Sequence, residues 1–212
     1  MPPDNWSNIH SRYKKEDWID KPSLFAQTAI AYFPETGKIL ELGAGQGQDA
    51  RFFAGQGYDV ISTDSSDSAL ALNKAKLPQG LKGKITIQNL DISKGFPFPD
   101  ESFDIVYAHL SLHYFDHDTT IKIFHEIERV LRKGGILAFL VNSTNDPEYQ
   151  EGEKIEKDFF RVEGMTKRYF TVETAKTFAA HFETLLLDNK GETYKDSAKG
   201  IYNLIRFIGV KK

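Results

Sequence analysis

Apolar residues along the chain fall into short runs whose spacing alternates between strand-like and helix-like, with glycine and polar breaks between them. Residues 39–42 (Ile-Leu-Glu-Leu) are almost continuously apolar, as expected of a strand covered on both faces, and run straight into Gly43, Gly45 and Gly47. Residues 49–54 then read as a helix, 58–64 as a second strand rich in β-branched side chains, and 84–92 as a third. A fourth apolar strand covers 103–109. Ile121, Phe124, Ile127, Val130 and Leu131 recur at helical spacing, Lys133-Gly134-Gly135 offers a basic last turn and a glycine stop, and 136–141 is a fifth strand. Residues 142–147 are turn-rich and 148–163 charged; Thr171 then caps a helix predicted to run through His181, and 182–187 with 201–210 form a closing strand pair. Strands alternating with helices in this order predict an α/β fold on a mostly parallel sheet.

A length of 212 residues suits one such domain with a sizeable core. The expected organisation is an N-terminal cap over 1–35, a binding core over 36–141, a lid or acceptor loop over 142–171, and a helix with a strand hairpin over 172–212. The chain has no long uncharged apolar run, so no membrane span is expected and a cytoplasmic location is. A net charge of -3 argues against a general nucleic-acid binder, which would present a basic face. With no cysteine, disulfides, cysteine metal ligands and cysteine nucleophiles are all excluded.

The chemistry concentrates at strand ends. Glycines at alternating positions let the backbone turn sharply after the first strand and let a ligand approach the main chain. Two ligand classes use such a turn. A dinucleotide brings a pyrophosphate, which seeks N–H groups and is repelled by a carboxylate, and Gly45-Gln46-Gly47-Gln48-Asp49-Ala50 does fit the relaxed G-x-G-x-x-A pattern. S-adenosylmethionine brings a sulfonium and an ammonium, for which Glu41 at the end of the strand is electrostatically suited. Asp64, ending the second strand, is placed to accept from ribose hydroxyls, or else to cap the helix that Ser65-Ser66-Asp67 would start. Asp91, after the third, can accept from an adenine amino group, with Ile92 against the ring face.

Beyond the fourth strand lie His109 and His113, the candidate catalytic bases, since an unperturbed imidazole titrates near neutral pH. Packing by Leu110, Leu112, Tyr114 and Phe115 is the competing explanation for both. No third ligand accompanies them, so no metal site is expected. Tyr149, Phe159, Phe160, Tyr169 and Phe170 either line an acceptor pocket or seal a core.

Taken in order, Glu41-Leu42-Gly43-Ala44-Gly45-Gln46-Gly47, Asp64, Asp91 and Val130-Leu131-Arg132-Lys133-Gly134-Gly135 resemble the class I S-adenosylmethionine-dependent methyltransferases over residues 36–141. The segment Trp18-Ile19-Asp20-Lys21-Pro22-Ser23 ahead of the glycine turn looks like the small tellurite-resistance-type and thiol-type branch. The resemblance implies a Rossmann-like fold with a seven-stranded sheet whose last strand is antiparallel and with helices on both faces. It implies S-adenosyl-L-methionine as cofactor, held by Glu41, Gly43, Gly45, Asp64 and Asp91, with Ala44, Ser65, Ile92 and Ala108 beside them and Trp18 as a cover. It also implies a small-molecule acceptor, thiols and tellurite or selenite ahead of amines and carboxylic acids. A nicotinamide-dependent oxidoreductase and a catalytically idle regulatory module that binds S-adenosylmethionine remain as alternatives.

Overall fold

The computed structural model describes residues 19–194 and 203–212. Seven strands form one sheet in the order β3-β2-β1-β4-β5-β10-β9. These are β1 (Lys38–Leu42), β2 (Asp59–Asp64), β3 (Ile85–Asn89), β4 (Phe103–His109), β5 (Leu131–Asn142), β9 (Phe182–Gly191) and β10 (Leu204–Lys211). The pairings β3–β2–β1–β4–β5 are all parallel, and β10 runs antiparallel to both β5 and β9. Chain order therefore reverses direction across the sheet between β1 and β4, the switch point at which ligands bind in open α/β sheets.

Helices cover both faces. On one side, α4 (His117–Val130) and α5 (Val172–Phe178) pack Ile123, Phe124, Ile127 and Ala175 against Leu40, Val106, Leu137, Phe139 and Phe207. On the other, α1 (Leu24–Ala29) and α2 (Gln48–Gly55) pack Phe25, Ala26 and Phe53 against Ile39, Ile105, Tyr107 and Ala138. The period-2 alternation of a strand assigns each side chain to a face. Glu41 therefore shares the α1/α2 face with Ile39, and in register it stands opposite Tyr107. The remaining helix, α3 (Asp67–Ala75), is capped by Ser66, whose hydroxyl accepts from Ala69 N–H.

The α1/α2 face carries one buried polar group that binds three elements. Ser23 caps α1; its N–H donates to Asp49 Oδ1 at 2.6 Å and its hydroxyl to Oδ2 at 2.8 Å. Tyr107 of β4 also donates to Asp49 Oδ2, at 2.8 Å. All three residues are buried. A buried carboxylate must be compensated, and here three donors do it.

Two elements differ from the sequence pattern. The helix predicted to run to Lys133 ends at Val130, because Leu131 turns extended and pairs with Phe103; residues 132–135 then bulge before Ile136 rejoins β4 opposite Ile105. Likewise α5 ends at Phe178, three residues before His181, although Thr171 does cap it with a capping box. The largest departure is the stretch after β5. Instead of an irregular segment it forms a second sheet of three antiparallel strands, β6 (Glu153–Glu156), β7 (Phe159–Val162) and β8 (Met165–Arg168). Its second hairpin turns at Glu163-Gly164 with φ of 48° and 80°, as a two-residue turn with positive φ at both positions requires. Trp18, together with Ile201 and Tyr202 of the expected last strand, lies outside the described residues.

Replacing Tyr107 by Phe removes one of three donors from the buried Asp49. We expect a loss of about 1.5–3 kcal/mol in urea unfolding at neutral pH. An unchanged midpoint would mean that the Asp49 carboxylate does not depend on Tyr107.

Candidate functional site

The turn after β1 is built from backbone that L side chains rarely adopt. Gly43, Gly45 and Gly47 have φ of 72°, 55° and 75°. Space forbids a side chain as well: a Cβ on Gly43 would sit 2.4 Å from Ser111 Cβ, and one on Gly47 would sit 2.0 Å from Asn73 Oδ1. The turn is pinned from both sides. Asp64 Oδ2, at the end of β2, accepts from Gly45 N–H at 2.8 Å, while Ser111, beyond β4, donates to Leu42 O at 2.6 Å.

Three amides of this turn are used within the protein. Ala44 N–H donates to Thr63 O, Gly45 N–H to Asp64 and Gly47 N–H to Ala44 O. A pyrophosphate needs such groups free. Around the turn stand three carboxylates, Glu41, Asp49 and Asp64, with Arg51 as the nearby cation. Glu41 is 3% exposed and accepts one hydrogen bond, from Ser62 Oγ at 3.0 Å; Asn73 Nδ2 in turn donates to Ser62 Oγ at 3.0 Å. Burial, reinforced by the charge of Asp49, pushes the Glu41 carboxyl up to about 8, against the Ser62 hydrogen bond and Arg51. Arg51 is itself shared, donating to Gln46 O and pairing with Asp20. The donor set therefore fits a ligand that brings positive charge to the switch point.

The other predicted positions are spread along the same edge. Ala44 and Gly45 lie in the turn, Ala108 is buried next to last in β4, and Ser65 is exposed just after Asp64. Asp64 is half-buried, and its Oδ1 accepts from Ser66 N–H at 2.8 Å. Asp91 caps a short 3-10 turn (Ile92–Lys94), where Oδ1 accepts from Ser93 N–H and Oγ–H and Oδ2 pairs with Lys94. Burial works to raise its carboxyl, and the Ser93 hydrogen bonds with Lys94 carry it below the ordinary value. Ile92 is buried beside it.

The two histidines differ. His109 ends β4 half-buried, and burial lowers its imidazole while Asp49 works against that. His113 is 2% exposed, and burial followed by the charges of Lys167 and His109 brings it down to about 3. It is thus neutral at neutral pH and a weak base. The sequence pattern could not show this, because it reads neither the burial nor Lys167, which β8 brings in from far along the chain. Leu110 between them has φ of 55°, an unusual conformation for leucine, and it redirects the chain so that Ser111 reaches the glycine turn.

Asp49, Tyr107 and Ser23 were not singled out by the pattern. For Ser23 a signal exists, a serine immediately before an apolar run, which is a helix N-cap signature. Of the candidate pocket aromatics, Phe170 lies in the main core, and Tyr149, Phe160 and Tyr169 pack on one another with ring centroids 5.4–6.1 Å apart. Phe159 lies under the Arg168 guanidinium.

A family model described as a methyltransferase domain matches residues 40–139. A probable methyltransferase of Aspergillus luteorubrus, ltbC, is 31% identical over 117 residues, which cover 51% of this chain and 41% of that protein. The chain spans about half the length of the curated relatives it matches. Among solved structures, an S-adenosylmethionine-dependent methyltransferase of Methanosarcina mazei superposes with a TM-score of 0.72 at 23% identity, covering 87% of this chain and 96% of that one. The 1,6-didemethyltoxoflavin-N1-methyltransferase of Burkholderia thailandensis, solved with 1,6-didemethyltoxoflavin and S-adenosylhomocysteine, gives 0.72 at 18% identity over 100% and 91% of the two chains. At these identities the likeness is one of fold.

The Glu41 carboxyl yields a pH prediction. Its pKa is higher folded than unfolded, so its contribution to stability is complete below about 4.5 and is lost as pH rises towards about 8. Glu41→Gln keeps an acceptor for Ser62 and removes the titration. Denaturant midpoints of the ligand-free protein should fall across that window in the parent and less steeply in the variant; parallel slopes would show that Glu41 is already ionised.

Proposed function

We propose that residues 40–139, which match a methyltransferase domain, form a class I S-adenosylmethionine-dependent domain, and that the chain transfers a methyl group from S-adenosylmethionine to a small-molecule acceptor. The observation that carries the reading is the glycine turn of β1, where the amides of Ala44, Gly45 and Gly47 are satisfied internally and whose surroundings are three carboxylates, one of them buried with a single hydrogen bond. That arrangement suits a sulfonium and an ammonium and opposes a pyrophosphate, which argues against a nicotinamide coenzyme.

In this reading Glu41, Gly43 and Gly45 hold the charged end of the cofactor, with Ala44 beside them. Asp64 and Ser65 take the ribose, while Asp91 and Ile92 take the adenine. When bound, the cofactor supplies an electrophilic methyl group on a positively charged sulfur. The protein's own contribution is to orient the acceptor in line with it, since placement alone is worth up to roughly 7–11 kcal/mol. Where the acceptor must lose a proton, His109 is the better-suited base, because Asp49 supports its charged form while nothing among the described residues does so for His113. Residues 142–171, which include the β6–β8 sheet, cover the acceptor. Support for this comes from the bonds that tie β8 to the segment after β4: Thr166 Oγ1 donates to Tyr114 O at 2.9 Å and Arg168 Nε to Phe115 O at 3.0 Å. A small-molecule acceptor is supported by the net charge of -3, which argues against a nucleic-acid partner, and by the small molecule bound in the Burkholderia thailandensis neighbour.

Calorimetric titration with S-adenosylhomocysteine and, separately, with NAD tests the reading. Micromolar binding of the former and none of the latter is expected. Asp64→Asn, which keeps the size of the side chain and removes its charge, should weaken S-adenosylhomocysteine by roughly tenfold or more. Equal affinity in the variant would remove Asp64 from the ribose site, and binding of NAD alone would overturn the proposal.

A further inference from the structure

His113 carries an unused capacity. It is 2% exposed, and its Nδ1 has no hydrogen-bond partner among the described residues. A buried imidazole nitrogen without a partner is costly unless something else meets it. Its place in the fold says where that partner comes from. His113 lies in the 3-10 turn Leu112–Tyr114, two residues after Ser111, which is packed against Gly43 at the switch point. The Tyr114 ring lies against it, tilted by 49° with the ring centroids 4.3 Å apart.

The side chains that act electrostatically on this imidazole are both basic. Lys167 of β8 and His109 of β4 act on it electrostatically, and both disfavour a further positive charge there. Lys167 is paired with Glu148 and Arg168 with Glu156, and neither of those acids is among the groups acting on His113. This contrasts with the glycine turn a strand away, where Glu41, Asp49 and Asp64 converge. Three acids thus gather unpaired with one another over β1 and β2, whereas beyond β4 the cations Lys167 and Arg168 are each paired with an acid and the groups acting on His113 itself are basic.

We propose that His113 is the acceptor-recognition residue, donating from Nδ1 to an acceptor whose attacking atom is anionic at neutral pH, a thiolate or a carboxylate, with Lys167 adding a favourable field. This rests on the methyltransferase reading and narrows it. An anionic acceptor needs no base. Its lone pair forms the bond to the methyl carbon, the electron pair of the broken carbon–sulfur bond stays on sulfur, and one negative and one positive charge become two neutral products. A neutral His113 suits this step, because it can donate to the anion and has no proton to remove. An ammonium acceptor would instead meet Lys167 and would have to lose a proton first.

The test uses the full chain carrying 15N-labelled histidine and saturated with S-adenosylhomocysteine, titrated in turn with benzoate, thiophenolate and benzylammonium. The anions should move the His113 Nδ1 resonance, and benzylammonium should not. His113→Phe should weaken benzoate by about tenfold while S-adenosylhomocysteine stays within about twofold, and His113→Gln, which restores a neutral donor, should recover most of the loss. Lys167→Gln, at a half-buried position, should weaken benzoate by about threefold and lower its salt dependence. A response to benzylammonium, or to none of the three, would overturn the assignment with the cofactor reading intact. Failure of S-adenosylhomocysteine to bind would overturn both.

Discussion

The buried carboxylate of Asp49 is the interaction on which the rest of the site is assembled. It lies in the first turn of the helix that follows the glycines, it is almost completely shielded from water, and it is held by two donors from Ser23 and one from Tyr107. Those contacts lock the cap of α1, the start of α2 and the middle of β4 into one unit. Because Tyr107 stands opposite Glu41 in register, the same unit sets the depth at which Glu41 is buried. A carboxyl kept neutral by burial and by the charge of Asp49 is therefore built in, and a positively charged ligand beside it would favour its ionised form.

Charge is distributed unevenly along the sheet edge. Glu41, Asp49 and Asp64 gather where β1 and β2 end, while the cations of β8, Lys167 and Arg168, are each paired with an acid. The buried groups titrate accordingly: Glu41 is raised and His113 is lowered, each shifted by burial first and by its neighbours second. Each is thereby neutral at neutral pH in the ligand-free protein. Burial thus stores two unmet polar demands on either side of the switch point, and a cation on one side and an anion on the other would meet them.

The stretch after β5 shows where local sequence is a poor guide. Residues 148–163 are dominated by charge, yet β6 and β7 pair across a tight turn at Lys157-Asp158, where Asp158 has φ of 55°. Four-residue strands carry too few periods for alternation to stand out from charge. Helix ends failed for a related reason. The apolar stripe of α4 continues through Leu131, but strand pairing with Phe103 takes that residue into β5.

The local pattern by itself determined the order of strands and helices in the sheet core, the sharp turn at Gly43, Gly45 and Gly47, and the acids at the ends of β1, β2 and β3, because buried strands and positive-φ turns are short-range properties with few residue solutions. Resemblance then supplied the fold family and the cofactor. What only the tertiary structure decided is ionisation and company. Asp49 acquired its role from Ser23 and Tyr107, far from it in sequence, and His113 lost its basicity to burial and to Lys167. Both outcomes depend on desolvation and on charges brought together by folding, and neither quantity exists in a linear string.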